Sequence, residues 1–346
     1  MKPAFKSFSE LVSGQKPGSV PVAIFGVATW YPKLLGYNAY EYFSNKEAKL
    51  DAMTRLQEDF EEALLIPGIW PDYGLIAEAS GFGGEILWSE DDAPYIKPAL
   101  ADIKDVDNLK PPNYNKDGLF PQMLEEYSYM RKNTNEGLIS GYGHVEGTIN
   151  INGPLETAAL VRGYDDFLMD FIRNPQYVHK LLRIVTETLL EWIRFYENYQ
   201  GVKISRFCMS DHFPTMVSPV HFKEFCLPYM QNIFSVCPSP AVKIYHNDGG
   251  IEHLLDQLPQ TGMDIVHSGI DFRKAFEVND SLIYMGNLPT LSLIQKGNPE
   301  DVKVAVKELI TTSPKHRLIV SASGEFADGT PRENVRAMIE ALKQFS

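Results

Sequence analysis

Along the last third of the chain, short apolar runs stop at polar tips in a repeating order. Val242-Lys-Ile-Tyr245 ends at His246-Asn-Asp248-Gly-Gly250, and Met263-Asp-Ile-Val266 ends at His267-Ser-Gly269. Leu282-Ile-Tyr-Met285 ends at Gly286-Asn287, and Arg317-Leu-Ile-Val320 ends at Ser321-Ala-Ser-Gly-Glu325. Apolar runs of this length, bounded by turn residues, predict strands buried on both faces of a parallel sheet. Upstream, Pro21-Val-Ala-Ile-Phe25 predicts a first strand that ends at Gly26 and an aromatic loop, Thr29-Trp-Tyr-Pro32. A strand is also predicted at Gly137–Ser140, with His144 beyond its far end, and another at Val202–Cys208, with Asp211-His212 at its tip.

Helical spacing fills the intervals. A short helix is predicted over Phe8–Ser13, closed by Gly14, a long one over Lys46–Leu65 and an amphipathic one over Leu119–Arg131. Between Pro175 and Tyr199, Val178, Leu181, Leu182, Val185, Leu189, Trp192, Ile193 and Tyr196 form one apolar stripe for packing on a sheet. Helix starts are marked by Gly153-Pro154, by Ser218-Pro219 and by a capping box at Thr330-Pro-Arg-Glu333. The helix-like stretch Ile251–Leu258 is also expected to be helical, and Asp91–Tyr114 is expected to be a surface crossover. The Gly- and aromatic-rich loop Pro67–Gly84 reads equally as a substrate lid or a connection. Repeated strand-then-helix units without a GxGxxG or GxxxxGK[ST] motif predict an α/β protein, a (β/α)8 TIM barrel, with residues 1–346 as one domain.

Composition narrows the partners. The formal net charge is −13 and no Lys/Arg cluster is present, so a nucleic-acid backbone is excluded in favour of a small molecule or another protein. No stretch approaches the about 18 uninterrupted apolar residues of a membrane span, and the N-terminus lacks a secretory apolar core, so a cytoplasmic location is expected. Cys208, Cys226 and Cys237 have no CxxC spacing and are expected to be reduced, buried thiols.

In a barrel the strand tips converge on one face. Gly26, His144, Asp211, His212, His246, Asp248, His267, Asn287 and Glu325 are thereby predicted to line one pocket. Any one of these polar residues alone serves equally well to cap a helix or to hold a loop. Together, His246, Asp248 and Glu325 offer one nitrogen and two oxygens, a set suited to Zn²⁺ with an open position for substrate. Trp30, Tyr31, Trp70, Tyr73 and Phe82 are candidates for an aromatic-compatible wall.

Ser-Pro-Val-His-Phe-Lys-Glu-Phe-Cys-Leu-Pro-Tyr (218–229), His246-Asn-Asp-Gly, Met285-Gly-Asn-Leu and Gly329-Thr-Pro-Arg-Glu-Asn-Val-Arg-Ala-Met338 resemble the uroporphyrinogen decarboxylase superfamily. That superfamily includes the methylcobalamin:coenzyme M methyltransferases and related corrinoid-dependent methyltransferases. The resemblance begins near Gly18-Ser-Val-Pro-Val22, is strongest after Asp211, and itself implies the (β/α)8 barrel. Uroporphyrinogen decarboxylases carry Arg-Gln-Ala-Gly-Arg after the first strand, where this chain has Val27-Ala-Thr-Trp-Tyr-Pro-Lys33. A polyanionic tetrapyrrole would lack its counter-charges here. In the thiol-activating methyltransferases a His-x-Cys and a later Gly-Cys hold zinc. His246 matches the histidine, while Asp248 and Glu325 stand at or beside the cysteine positions.

Carboxylates in place of thiolates leave a metal a harder Lewis acid, suited to oxygen or nitrogen groups. The resemblance therefore implies a methyltransferase that moves a methyl group between a methyl ether or methylamine and a cobalamin-bearing corrinoid protein. The cobamide has to arrive on that partner, since the chain has no DxHxxG motif. On this reading His246, Asp248 and Glu325 hold metal or bond the leaving atom. His144, Asp211 and His212 act as acid/base or orienting groups, and Trp30, Tyr31, Asn287 and His267 contact substrate. The alternatives are a decarboxylase, with Lys33 or Arg162 holding the carboxylate, and a non-catalytic scaffold that docks a corrinoid protein.

Overall fold

The structure, a computed structural model, describes residues 1–237 and 240–345. Its centre is a ring of parallel strands. β1 (Ala23–Phe25) pairs with β2 (Leu64–Ile66), while β3 (Ile86–Leu87) and β4 (Tyr95–Ile96) form a separate antiparallel ribbon. β5 (Thr148–Asn152), β6 (Arg206–Ser210), β7 (Val242–His246), β8 (Ile265–His267), β9 (Ile283–Leu288) and β10 (Leu318–Ala322) pair in sequence order. A parallel bridge between Val22 and Val320 joins β1 to β10, with Val320 N donating to Pro21 O at 2.9 Å. These are the eight parallel strands of a (β/α)8 barrel. Their apolar residues are buried, apart from the partly buried Val242 and Ile283 at the starts of β7 and β9, as strands covered by helices on one side and by the barrel interior on the other must be.

Between β2 and β5 no backbone ladder forms among the described residues, and side chains bridge that seam. Arg206 donates from Nη1 to Pro67 O at 3.0 Å and from Nη2 to Tyr142 O at 2.9 Å. Gln57 accepts from Leu65 N at 3.1 Å and from His144 Nε2 at 2.9 Å, and donates to Ala63 O at 2.8 Å. At the other end of the seam, Asn152 donates to Glu78 at 2.6 Å.

Pro175–Gln200 is one helix with the predicted stripe buried, and it ends where Gly201 turns left-handed at φ +70°. The predicted helix over Lys46–Leu65 stops at Asp59, and β2 follows at Leu64. The run Ala63-Leu-Leu-Ile66 has no polar face and so belongs to a strand buried on both sides. The predicted strand at Gly137–Ser140 is helix Glu136–Tyr142, started by the Asn135 side chain accepting from Leu138 N and ended by Gly143 at φ +67°. The real strand there is β5. Ile251–Leu258 folds as 3₁₀ turns rather than as one helix, and Asp91–Tyr114 contributes β4 and the 3₁₀ segment Ile103–Asn108. Thr330 gives its hydroxyl to Ala327 O at 2.7 Å, and the last helix starts at Arg332. Cys208, Cys226 and Cys237 are buried free thiols, as expected. No helix among the described residues is long and apolar enough to cross a membrane.

Candidate functional site

Register decides which side chains share a level. Asn152, Ser210, His246 and His267 are Cα partners in one row across β5 to β8, at the carboxyl ends of their strands. Above this row a cavity of about 900 Å³ opens. Its floor includes Phe25, Ser210, His212, His246, Asp248 and Glu325, and part of its wall is the loop carrying Trp70, Asp72 and Leu75. The Pro67–Gly84 loop is thus cavity wall over its first half. The segment Asp91–Tyr95, around the ribbon, also contributes to the lining.

Two histidines and a carbonyl form a directional chain behind the floor. His267 Nε2 lies 3.0 Å from Ala322 O, and a carbonyl only accepts, so His267 carries its hydrogen on Nε2. Burial holds the His267 ring down to about 4, and it is therefore neutral near pH 7 with a bare Nδ1. His246 Nδ1 lies 2.9 Å from that Nδ1 and must supply the hydrogen between them. His246 is itself held well below the ordinary imidazole value by burial and by the neighbouring His267 and His212 rings. Its single hydrogen is therefore on Nδ1, and Nε2 keeps a free lone pair. Phe25 covers both rings, at centroid distances of 4.0 and 4.5 Å.

His212 sits on the other side of His246, with ring centroids 5.2 Å apart. Its Nδ1 is 3.6 Å from Glu156 and its Nε2 is 3.6 Å from Asp248. Burial opposes a charged His212 ring, but Glu156 first and Asp248 second outweigh it and raise the value. Burial likewise opposes ionisation of Glu156, yet the His212 ring, the Tyr164 hydroxyl and the His212 N–H hold it below the ordinary carboxylate range. Glu156 is a site residue that the sequence reading did not find. Its place in the first turn of helix Pro154–Arg162, beside a strand tip, was the available signal.

Glu325 enters the floor from the segment after β10. A side chain at position 26 would put its Cβ 1.9 Å from Glu325 Oε1, and Gly26 is also left-handed at φ +71°, so only glycine fits beneath that carboxyl. Thr29 Oγ1 is 2.6 Å from Phe326 O and 3.2 Å from Glu325 Oε2. Burial, and after it the negative charge of Asp72, push Glu325 up to about 8. Asp72, another residue missed from sequence, is buried and accepts from the Tyr42 hydroxyl and from Gly74 N, each at 2.9 Å. It follows the unrecognised strand β2, and finding that strand would have exposed it.

The other expected site residues fall elsewhere. His144 precedes β5 and so lies at the amino end of the barrel, where it packs near Arg206 and Gly68, not in the cavity. The physical reason is that residues 136–142 form a helix and not the expected strand, so His144 comes before β5 instead of after a strand. Asp211 is fully buried and caps helix Pro154–Arg162, accepting from Leu155 N at 3.1 Å and Glu156 N at 3.0 Å. Asn287 donates to Ile270 O at 2.7 Å and is not part of the lining. Trp30 and Tyr31 are core residues, the first bonded to Thr330 O and the second to Asp59. His267 stands behind His246 and reaches the cavity only through it. Tyr73 and Phe82 are core as well, which leaves Trp70 as the cavity aromatic among those five candidates.

Among the described residues, His212, His246 and Asp248 form a group able to hold a metal, one ligand atom from each lying within 4.8 Å of the others. Glu325 is outside this group, and His212 takes the place expected for it. Two imidazoles, one with a lone pair fixed by its neighbour, and one carboxylate make a donor set that fits Zn²⁺.

The cavity lining is acidic. It contains Asp72, Asp91, Asp92, Asp248, Glu325 and Asp328 against one lysine, Lys33, which is itself paired with Asp328 at 3.0 Å. Arg162, the other cation considered, is buried and engaged by Asp166, Asp170 and two backbone carbonyls.

Among relatives, a uroporphyrinogen decarboxylase of Trichodesmium erythraeum is 24% identical over 282 residues, 78% of this chain and 74% of the relative. A methylated-thiol–coenzyme M methyltransferase of Methanosarcina mazei is 23% identical over 278 residues, 79% of this chain and 71% of the relative. A solved methyltransferase from Methanosarcina mazei shares the fold, with a TM-score of 0.80 at 18% identity, over 99% of this chain and 98% of that one. Residues 5–345, nearly the whole chain, match the family described as uroporphyrinogen decarboxylase (URO-D), and the protein belongs to that family.

Proposed function

We propose that the protein is a methyltransferase that moves a methyl group between a small oxygen- or nitrogen-linked methyl substrate and a cobalt corrin carried by a separate protein. The observation that carries this reading is the cavity itself, with the His212, His246 and Asp248 group in its floor and a lining of six acidic side chains to one paired lysine. A family member that decarboxylates a polyanion needs cations facing its substrate. This lining repels one. Kinship with a methyltransferase of Methanosarcina mazei supports the same direction.

His246, His212 and Asp248 would hold a divalent ion such as Zn²⁺. When bound, the ion supplies a positive charge that polarises a substrate heteroatom. The chain's own residues do the rest. His267 and Ala322 O fix the tautomer of His246, so that its Nε2 is presented without a hydrogen. Glu156 anchors His212 through both its ring and its backbone N–H. The proton that Glu156 and Asp248 favour on His212 has to leave before that ring can ligate, so ion uptake is coupled to proton release.

The test mixes the protein with a reduced corrin protein and a panel of methyl ethers and methylamines, following the corrin absorbance. Methylation of the corrin, lost in His246→Ala, is expected. No corrin change together with CO₂ release from a carboxylic acid substrate would replace this reading with the decarboxylase one, which the relative from Trichodesmium erythraeum favours.

A further inference from the structure

The Thr29 hydroxyl owns one hydrogen, and two oxygens compete for it. Phe326 O, at 2.6 Å, is a carbonyl that can only accept, and it is the nearer. Glu325 Oε2, at 3.2 Å, then faces the lone pairs of Thr29 Oγ1. An ionised carboxylate there would set two unshared electron pairs against each other. A protonated one donates to Thr29 and completes the chain.

We infer that Glu325 is the acid that protonates a leaving oxygen, and that the methyl group therefore enters on oxygen, as a methyl ether. This rests on the methyl-transfer reading and narrows its substrate class. A methylated ammonium leaves as a neutral amine and a sulfonium as a neutral thioether, and neither needs a proton. An ether oxygen leaves as an alkoxide or phenoxide, which does.

In the step, the electron pair of the reduced corrin cobalt forms the new bond to the methyl carbon as the carbon–oxygen bond breaks. That bond's pair goes to the oxygen, which takes the Glu325 proton and departs as an alcohol or phenol. The Glu325 carboxylate then regains a proton from solvent. The charged groups around Glu325 are Asp72 and Asp248, which favour its protonated form, and His212, which opposes it. Tyr42, bonded to Asp72, is neutral. The Lys33–Asp328 pair at the cavity edge cancels itself.

Two measurements test the assignment. The infrared difference between the wild type and Glu325→Gln is expected to show a carboxylic-acid C=O stretch at neutral pH that fades as the pH rises. Its absence overturns the assignment whether or not any methyl is transferred. The second measurement follows corrin methylation from aryl methyl ethers of graded phenol acidity and from tetramethylammonium. Glu325→Gln is expected to lose about 10²-fold or more on the least acidic phenol, with the loss shrinking toward none on the most acidic. A uniform loss across the series, or a wild type that prefers tetramethylammonium, overturns the assignment alone. Corrin methylation from no donor at all removes the methyl-transfer reading and this assignment with it.

Discussion

The two ends of the barrel each bury a histidine, and burial holds both below the ordinary imidazole value. At the amino end, His144 gives Nε2–H to Gln57, stacks on Tyr142 and lies beside the buried Arg206 guanidinium, whose donors are taken by Pro67 O and Tyr142 O. Every one of these contacts crosses or borders the seam between β2 and β5, where the backbone ladder is missing. At the carboxyl end, His246 uses one nitrogen on His267 and presents the other to a cavity of about 900 Å³. Equal burial of the same residue type thus has opposite meaning. The amino-end histidine is used up holding the seam, whereas the carboxyl-end one keeps a nitrogen facing the cavity.

The comparison breaks most visibly at Asp248. Its carboxylate is 58% exposed to the cavity, so Asp248→Ala should leave the melting temperature nearly unchanged while zinc content falls and methyl transfer drops by about 10²- to 10⁴-fold. Zinc bound at full stoichiometry in that variant, by elemental analysis, would remove Asp248 from the ligand set. At the opposite end, Arg206→Ala should cost about 3 kcal/mol in denaturant unfolding, because two buried carbonyls lose their donors. Activity per folded molecule should survive.

His267→Phe keeps an aromatic ring but removes the acceptor that fixes the His246 tautomer. A loss of about 10- to 100-fold in metal affinity is expected, together with a lower melting temperature, because Ala322 O and His246 Nδ1–H lose their buried partner. Unaltered affinity would mean that the histidine chain has no bearing on the site.

The smallest effect sharpens the picture through pH. The folded-state value of Glu325, about 8, lies above the ordinary carboxylate value of 4.5. The folded protein therefore holds this proton more tightly than the unfolded chain does. Its contribution to stability is fully present below about pH 4.5 and is lost as pH rises toward 8. Glu325→Gln has no such loss, so its melting temperature should gain on the wild type between pH 5 and 8. A constant difference across that range would show that Glu325 is ionised throughout.

The carboxyl-end site was legible because the runs that become β6, β7, β8, β9 and β10 stop at polar residues, a signal that survives without any tertiary information. His246, Asp248, His212 and Glu325 were all found this way, and all line the cavity. The amino-terminal half was harder for two physical reasons. β2 has three residues and directly follows a helix, so its apolar run merged with the helical pattern. The short helix Glu136–Tyr142 is apolar enough to pass for a strand, although Asn135 before it and Gly143 after it are helix start and stop signals. Those two errors hid Asp72 and misplaced His144. The structure groups His212, rather than Glu325, with His246 and Asp248, a pairing the sequence could not show because linear order carries no information on which side chain meets Asp248 across the cavity floor.

The most direct test of the division between the two ends measures methyl transfer per folded molecule, alongside thermal melting, for His246→Ala and His144→Ala. The account predicts that His246→Ala keeps its fold and loses activity by about 10²- to 10⁴-fold, while His144→Ala melts earlier yet transfers methyl at close to the wild-type rate per folded molecule. An inactive but stably folded His144→Ala, or an active His246→Ala, would contradict it.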